Sequence, residues 1–185
     1  MWHSHRQQKL YAQAAGNATD AGPQRQVNEY GYYRPDNSEF DHINRGADAA
    51  LGYRNRNPGN VRYDGASRWD GMVGNPRQND FIQFENDHYG IRSVARNVLT
   101  QYERGDYNTI SGLLNRYAPR NQNNTQAYIN HLTNVLGIGA DEALDMNNPE
   151  VLDAIVPIII THETGSNQYT PEQICNAVRD AMHRQ

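Results

Sequence analysis

The sequence predicts an α+β domain, mainly α, in which a small β-lobe precedes a series of helices. Three observations carry that expectation. Between residues 57 and 84, turn signals separate short alternating apolar runs, which is a strand pattern. From Asn86 onward, capping residues and stop glycines bracket one helical stretch after another. Val151 to Ile160 reads VLDAIVPIII, interrupted only by Asp153. A helix that is apolar nearly all round is buried on every side.

The length of 185 residues suits one domain with a core that needs no staples. A formal net charge of −4 and a pI near 5.9 give no global attraction for nucleic acid or acidic membranes. The single cysteine, Cys175, excludes an internal disulfide and fits synthesis in a reducing cytosol. Inside a helical stretch, it reads as a small buried core residue. The chain has no run of about 18 apolar residues, so no membrane span is expected. The opening MWHSHRQQKLYAQAAG lacks the apolar stretch of a secretory signal. Work outside the cytoplasm would then need another route, such as lysis or assembly into a particle.

Taken in order, residues 1–50 are rich in Gln, Asn, Gly, Tyr and charge, with few aliphatic residues. Such a segment cannot bury enough apolar surface to fold alone. With Tyr30, Tyr32, Tyr33 and Phe40 it reads as an arm that orders against a partner or against the body, or else as a disordered leader. Residues 51–185 form the domain. Asn57-Pro58-Gly59-Asn60 is a turn, followed by strand-like Val61-Arg62-Tyr63. Asp64-Gly65 turns again, Arg68 to Val73 can pair back, and Asp80-Phe81-Ile82-Gln83-Phe84 alternates as a third short strand.

Asn86 or Asp87 caps a helix that runs to about Arg104 and stops at Gly105. A shorter helix starts at Asn108 or Thr109 and ends before Pro119; a third opens at Asn124-Thr125 and stops at Gly137. Asn148, with Pro149 at the first helical position, begins the apolar helix, which Gly165 closes. Pro157 within it predicts a kink. Thr170-Pro171-Glu172-Gln173 is a capping box for a last helix to about His183.

Thr161-His162-Glu163-Thr164-Gly165 ends the apolar helix and holds the most informative residue. A carboxylate one turn beyond such a run is costly unless stabilised, and the negative end of the helix dipole disfavours it further. Burial and dipole both push a carboxyl pKa upward, which suits a general acid that must hold its proton near neutrality. Glu163 is therefore the candidate acid. His162 points about 100° away around the helix and reads as structural. For a second carboxylate the candidates are Asp70 and Asp80, in the lobe expected to face Glu163; Asp64 reads as turn chemistry. Asp141, Glu142 and Asp145 read as a solvated or capping loop.

Trp69, Tyr128 and Tyr169 offer flat faces with polar tips for ring stacking. Asn57, Asn60 and Arg62 could bond acetamido and hydroxyl groups, or the two asparagines could simply shape the turn. No set of ligands at zinc spacing occurs, and His3-x-His5 is too sparse to form one. No phosphate-cradling glycine motif occurs either. Neither a metal nor an organic cofactor is expected.

The order of signals from residue 54 to 169 resembles a family of phage virion proteins with a lysozyme-like fold. The shared features are Arg54-Asn55-Arg56-Asn57-Pro58-Gly59-Asn60-Val61-Arg62, Trp69-Asp70-Gly71, Phe81-Ile82-Gln83-Phe84 and Gly90-Ile91-Arg92. They continue with Tyr117-Ala118-Pro119, Asn124-Thr125-x-x-Tyr128-Ile129 and His162-Glu163-x-Gly165, so that the match covers about two thirds of the chain. A looser similarity links the lobe to the glucosaminidase-type autolysins, in which a buried helix ending Glu-Ser-Gly precedes the lobe. Here the helix ending Glu163-Thr164-Gly165 follows it, and one reading is a circular permutation of the lysozyme-like fold.

The resemblance implies cleavage of the β-1,4 glycan backbone of peptidoglycan, by hydrolysis or lytic transglycosylation, with Glu163 as general acid. Such enzymes use either a carboxylate pair or one Glu with the substrate's own N-acetyl group. It also implies a protein made in the host cytoplasm, carried in the virion and acting at the cell wall during entry. Residues 1–50 would then dock to neighbouring tail or internal virion proteins. The alternative is a non-enzymatic structural or plug protein of the virion that keeps the fold.

Overall fold

The structure, a computed structural model, describes residues 26–105, 107–117 and 122–183. His3, His5, the arm before residue 26 and the Ala118-Pro119 part of the shared motif lie outside the described residues.

The described chain is mainly helical. A 3-10 turn at Asn37–Phe40 and a short α1 at Leu51–Arg54 come first. Then follow α2 (Asp87–Glu103), α3 (Ile110–Tyr117), α4 (Gln122–Leu136), α5 (Pro149–Thr164) and α6 (Pro171–Met182). Local chemistry accounts for the ends. Asn86 caps α2 by accepting from the His88 N–H at 2.7 Å. Asn148 and Pro149 open α5, and Gly165 closes it with φ 84° in the left-handed region. Thr170 and Gln173 bond reciprocally as a capping box on α6. Helix α4 begins at Gln122, ahead of the expected Asn124-Thr125 start, and α5 continues through Pro157.

The lobe between residues 60 and 84 differs from the expectation of three short strands. It contains isolated antiparallel bridges, Arg62 with Phe81 and Met72 with Phe84, and no extended strand among the described residues. The chain pairs briefly, with Tyr63 N–H to Asp80 O at 2.9 Å and Ile82 N–H to Val61 O at 3.0 Å, and then turns away. The cause lies in the backbone. Asn60, Gly65, Gly71, Gly74 and Asn79 all carry positive φ, which no strand tolerates. Alternate residues Ile82 and Phe84 still face inward and are fully buried, so the lobe keeps a period of two without a sheet.

Helix α5 is central. It packs against α1, α2, α4 and α6, which explains why it is apolar on every face. Leu152, Ile155, Val156, Ile159 and Ile160 are buried there, beside Ile91, Val94 and Val98 of α2 and Ile174 and Val178 of α6. Burying each such side chain contributes roughly 1.5–3 kcal/mol. Helices α3 and α4 form a second layer through Ile110, Leu113, Leu114 and Leu132. None of the described helices is long and apolar enough to cross a membrane.

The division at residue 50 does not follow the packing. Tyr32, Phe40 and Ile43, assigned to the arm, are buried, and Phe40 and Ile43 belong to the main core. The Asn176 side chain grips the backbone of Tyr33 from both sides, accepting from its N–H at 2.8 Å and donating to its O at 2.7 Å. Asn86 likewise donates to Pro35 O at 3.0 Å. Average composition underrates this segment, because three spaced anchors and side-chain clamps satisfy a belt that is otherwise polar.

Candidate functional site

The end of α5 is fixed both from within and from outside the helix. The Thr164 hydroxyl donates back to Ile160 O at 2.7 Å. Beyond Gly165, the Tyr53 hydroxyl donates to Ser166 O and accepts from the Gln168 N–H. Tyr53 is fully buried on α1, and the residue before it must be small. A Cβ on Gly52 would stand 2.9 Å from both Thr164 Cγ2 and Asn57 O. Tyr53 and Gly52 thus bring α1, the Asn-Pro-Gly-Asn turn and the end of α5 together.

Asn57 is buried and spends its amide on that turn. Its Nδ2 donates to Val61 O at 2.9 Å and Ile82 O at 2.8 Å, and its Oδ1 accepts from Val61 N–H at 2.9 Å. Both amide hydrogens are used, so Asn57 has no donor left for a ligand. Of the two readings open in the sequence, turn formation is the one this residue serves. Asn60 behaves differently. At φ 47° it holds a left-handed corner that points its amide at α5, where Nδ2 lies 3.1 Å from Glu163 O and 3.3 Å from Glu163 Oε2.

Glu163 is half-buried, not enclosed, and Asn60 is the hydrogen-bonding partner of its side chain among the described residues. Its other carboxylate oxygen has no hydrogen-bonding partner among the described residues.

The other sequence candidates scatter. Asp70 pairs with Arg92 of α2 at 2.8 Å. Asp80 is exposed and accepts from the Arg77 N–H at 3.0 Å, which is turn chemistry. Neither carboxylate touches Glu163. Arg62 donates to Asn79 O at 2.6 Å and lies 3.8 Å above the Phe81 ring, a contact internal to the lobe. Trp69 is half-buried at the seam between lobe and α2. Tyr128 is half-buried on α4 against the core.

Tyr169 cannot offer a face to a sugar. It is buried, its ring packs against Phe40 and Tyr53, and its hydroxyl donates to Asp87 at 2.7 Å. His162 is exposed. Cys175 is half-buried instead of fully buried, and burial pushes its thiol up to about 11. Among the described residues, no group of three or more His, Cys, Asp or Glu side chains is placed to hold a metal.

Sequence reasoning missed two buried charge clusters that brace the site. Asp87 bonds Arg45 at 2.5 Å and Tyr169, with Arg56 at 3.7 Å. Burial raises its carboxyl above the ordinary range, against the pull of Tyr169 and the arginines; burial also raises the Tyr169 hydroxyl, helped by Asp87. Asp180 bonds His88 at 2.7 Å and forms an ion pair with Arg92 at 3.2 Å. Burial works against ionisation of Asp180, but the His88 hydrogen bond and the Arg92 charge outweigh it and hold its carboxyl below the ordinary range. The partners lie far apart in sequence, so the only local signal was Asp87 beside the Asn86 cap.

The chain is 35% identical over 129 residues to Protein P5 of Pseudoalteromonas phage PM2, a match covering 69% of this chain and 79% of that protein. No family model matches the chain.

Proposed function

This chain belongs to one family of phage proteins with Protein P5 of Pseudoalteromonas phage PM2, and from that premise we propose that it is a virion-associated enzyme cleaving the β-1,4 glycan backbone of peptidoglycan. In this reading the fold is a circularly permuted lysozyme-like one. The observation that carries the proposal is Glu163, a half-buried carboxyl at the end of the central buried helix with the Asn60 amide on one of its oxygens.

Glu163 protonates the glycosidic oxygen as the bond from that oxygen to C1 breaks, and positive charge develops on the sugar ring. The resulting carboxylate then takes the proton from the group that attacks C1. That group is a water in hydrolysis, or the sugar's own C6 hydroxyl in lytic transglycosylation. Asn60 holds the carboxyl toward the lobe and keeps one oxygen engaged, so the other is the donor. Asp70 and Asp80 are both occupied elsewhere, which favours a mechanism with one glutamate and the substrate's N-acetyl group over a carboxylate pair. The protein would act at the cell wall during entry. Its arm would dock to neighbouring tail or internal virion proteins, and Val27 and Tyr30 are exposed on it.

The test is Glu163→Gln, assayed by clearing of purified sacculi. Loss of general acid–base catalysis lowers rate by about a hundredfold to ten-thousandfold, so clearing is expected to fall to background while the circular dichroism spectrum is kept. Mass spectrometry of the digest separates the two chemistries, since a 1,6-anhydro end marks the transglycosylase. Clearing by Glu163→Gln at the wild-type rate would remove this residue from the mechanism. A wild type that clears no wall type would favour the non-enzymatic virion protein.

A further inference from the structure

A cleft opens between the lobe and α2. Its volume is about 220 Å³, and Arg68, Trp69 and Asp70 line it from the lobe, with Arg92, Arg96 and Thr100 from α2. The three helical residues recur every fourth position and so share one face. Val94, which meets Gly59 in the turn leading to Asn60 and Glu163, lies about 200° around the helix from Arg92. The cleft therefore sits on a different face of α2 from the glutamate.

The lining side chains differ in role. Arg92 is nine-tenths buried and is held between Asp70 at 2.8 Å and Asp180 at 3.2 Å, so it fixes the Asp70 carboxylate in place. Asp70 remains half-exposed, a fixed acceptor. Arg68 is exposed, and its polar partner among the described residues is the neutral amide of Asn75 at 3.1 Å, so no carboxylate answers its charge. Trp69 supplies an aromatic ring beside them. A ring for stacking, an unanswered guanidinium and a fixed acceptor, close together, fit a sugar that carries both a carboxylate and amide N–H groups. The volume is below the roughly 300–1,000 Å³ of sites that enclose drug-sized ligands, so this open cleft holds part of such a unit and leaves the rest over solvent.

We propose that this cleft is a subsite for the muramyl-peptide unit of peptidoglycan, with the sugar against Trp69, a peptide-stem carboxylate on Arg68 and an amide N–H on Asp70. The assignment rests on the reading of peptidoglycan as substrate and adds a contact remote from Glu163, which anchors the strand away from the reacting bond.

The chain has two tryptophans, so full-length protein carrying Trp2→Phe leaves Trp69 as the sole indole reporter. It is titrated with N-acetylmuramyl dipeptide, which has no glycosidic linkage to cleave, so the result is independent of Glu163. A saturable change in Trp69 fluorescence is expected at millimolar ligand. N-acetylglucosamine, which lacks the lactyl-peptide, should bind at least about tenfold more weakly, the scale of one hydrogen bond to a charged group. Arg68→Gln, at an exposed position, should weaken the dipeptide by a similar factor without loss of folding. No saturable change, or an unchanged affinity in Arg68→Gln, overturns the assignment. So does inorganic phosphate binding as tightly as the dipeptide, which would mark a phosphate site. Dipeptide binding by a protein that clears no sacculi would sink the cleavage reading and leave the subsite standing.

Discussion

A Cβ on Gly90 would stand 1.9 Å from the carbonyl oxygen of Arg56, so the first turn of α2 and the Arg-Asn-x-Asn-Pro-Gly-Asn segment touch backbone to backbone. Gly90→Ala cannot be relieved by a side-chain rotation. It should cost about 1–3 kcal/mol or more, read as a lower melting temperature with reduced clearing, because the displaced segment carries Asn60. Charge acts at the same scale. The folded carboxyl of Asp180 lies below its ordinary value of 3.8. The stability it contributes is therefore fully present above that value and is lost as pH falls through the lower, folded one. Asp87 has the opposite sign, since its folded carboxyl lies above 3.8: it disfavours the fold increasingly as pH rises from there. Asp180→Asn should thus be less stable than wild type at neutral pH, with a gap that narrows on acidification below about 4. A gap that stays constant from pH 7 to pH 2 in denaturant titrations would refute the assignment.

Among the elements, α5 holds the largest share of the core and delivers the candidate acid. Leu152 is fully buried in it, so Leu152→Ala should cost about 2–5 kcal/mol through lost burial and a cavity. The readout is the denaturation midpoint, and a loss below about 1 kcal/mol would mean the site collapses to fill the space. Helices were legible in the sequence because their ends are made by residues that act within one turn: Asn86, Asn148 with Pro149, Thr170 with Gln173, and Gly165. The lobe was legible only as turns and inward residues. Its positive-φ glycines and asparagines cut the bridges short, and an alternating pattern does not report where the backbone turns away.

For the molecule as a whole, the belt from Tyr32 to Ile43 decides how far the domain extends. Removing residues 1–25 should leave a folded protein, whereas removing residues 1–50 strips Phe40 and Ile43 from the core and Arg45 from Asp87. The second truncation leaves a buried carboxylate short of its partner, a change that costs about 3–5 kcal/mol where a buried pair is broken. It should be aggregated or unfolded at 37 °C by circular dichroism. Retention of full helicity and a near-native midpoint would show that the belt is accessory and that the domain begins at residue 51.

By itself the sequence determined the mainly helical class, the central apolar helix and its terminal Glu163. Each follows from periodicity, capping and burial read over a few turns of chain. It also singled out the Asn-Pro-Gly-Asn turn, but not which asparagine serves it. Only the tertiary structure decided that Asn57 is consumed by the turn while Asn60 reaches Glu163. The structure likewise assigned Asp70 to Arg92, buried Tyr169 against Phe40, and made the polar belt part of the core. These outcomes depend on partners up to 143 positions apart, as between Tyr33 and Asn176. A side chain with several possible bonds takes the one that folding brings within reach, and local sequence carries no record of that distance.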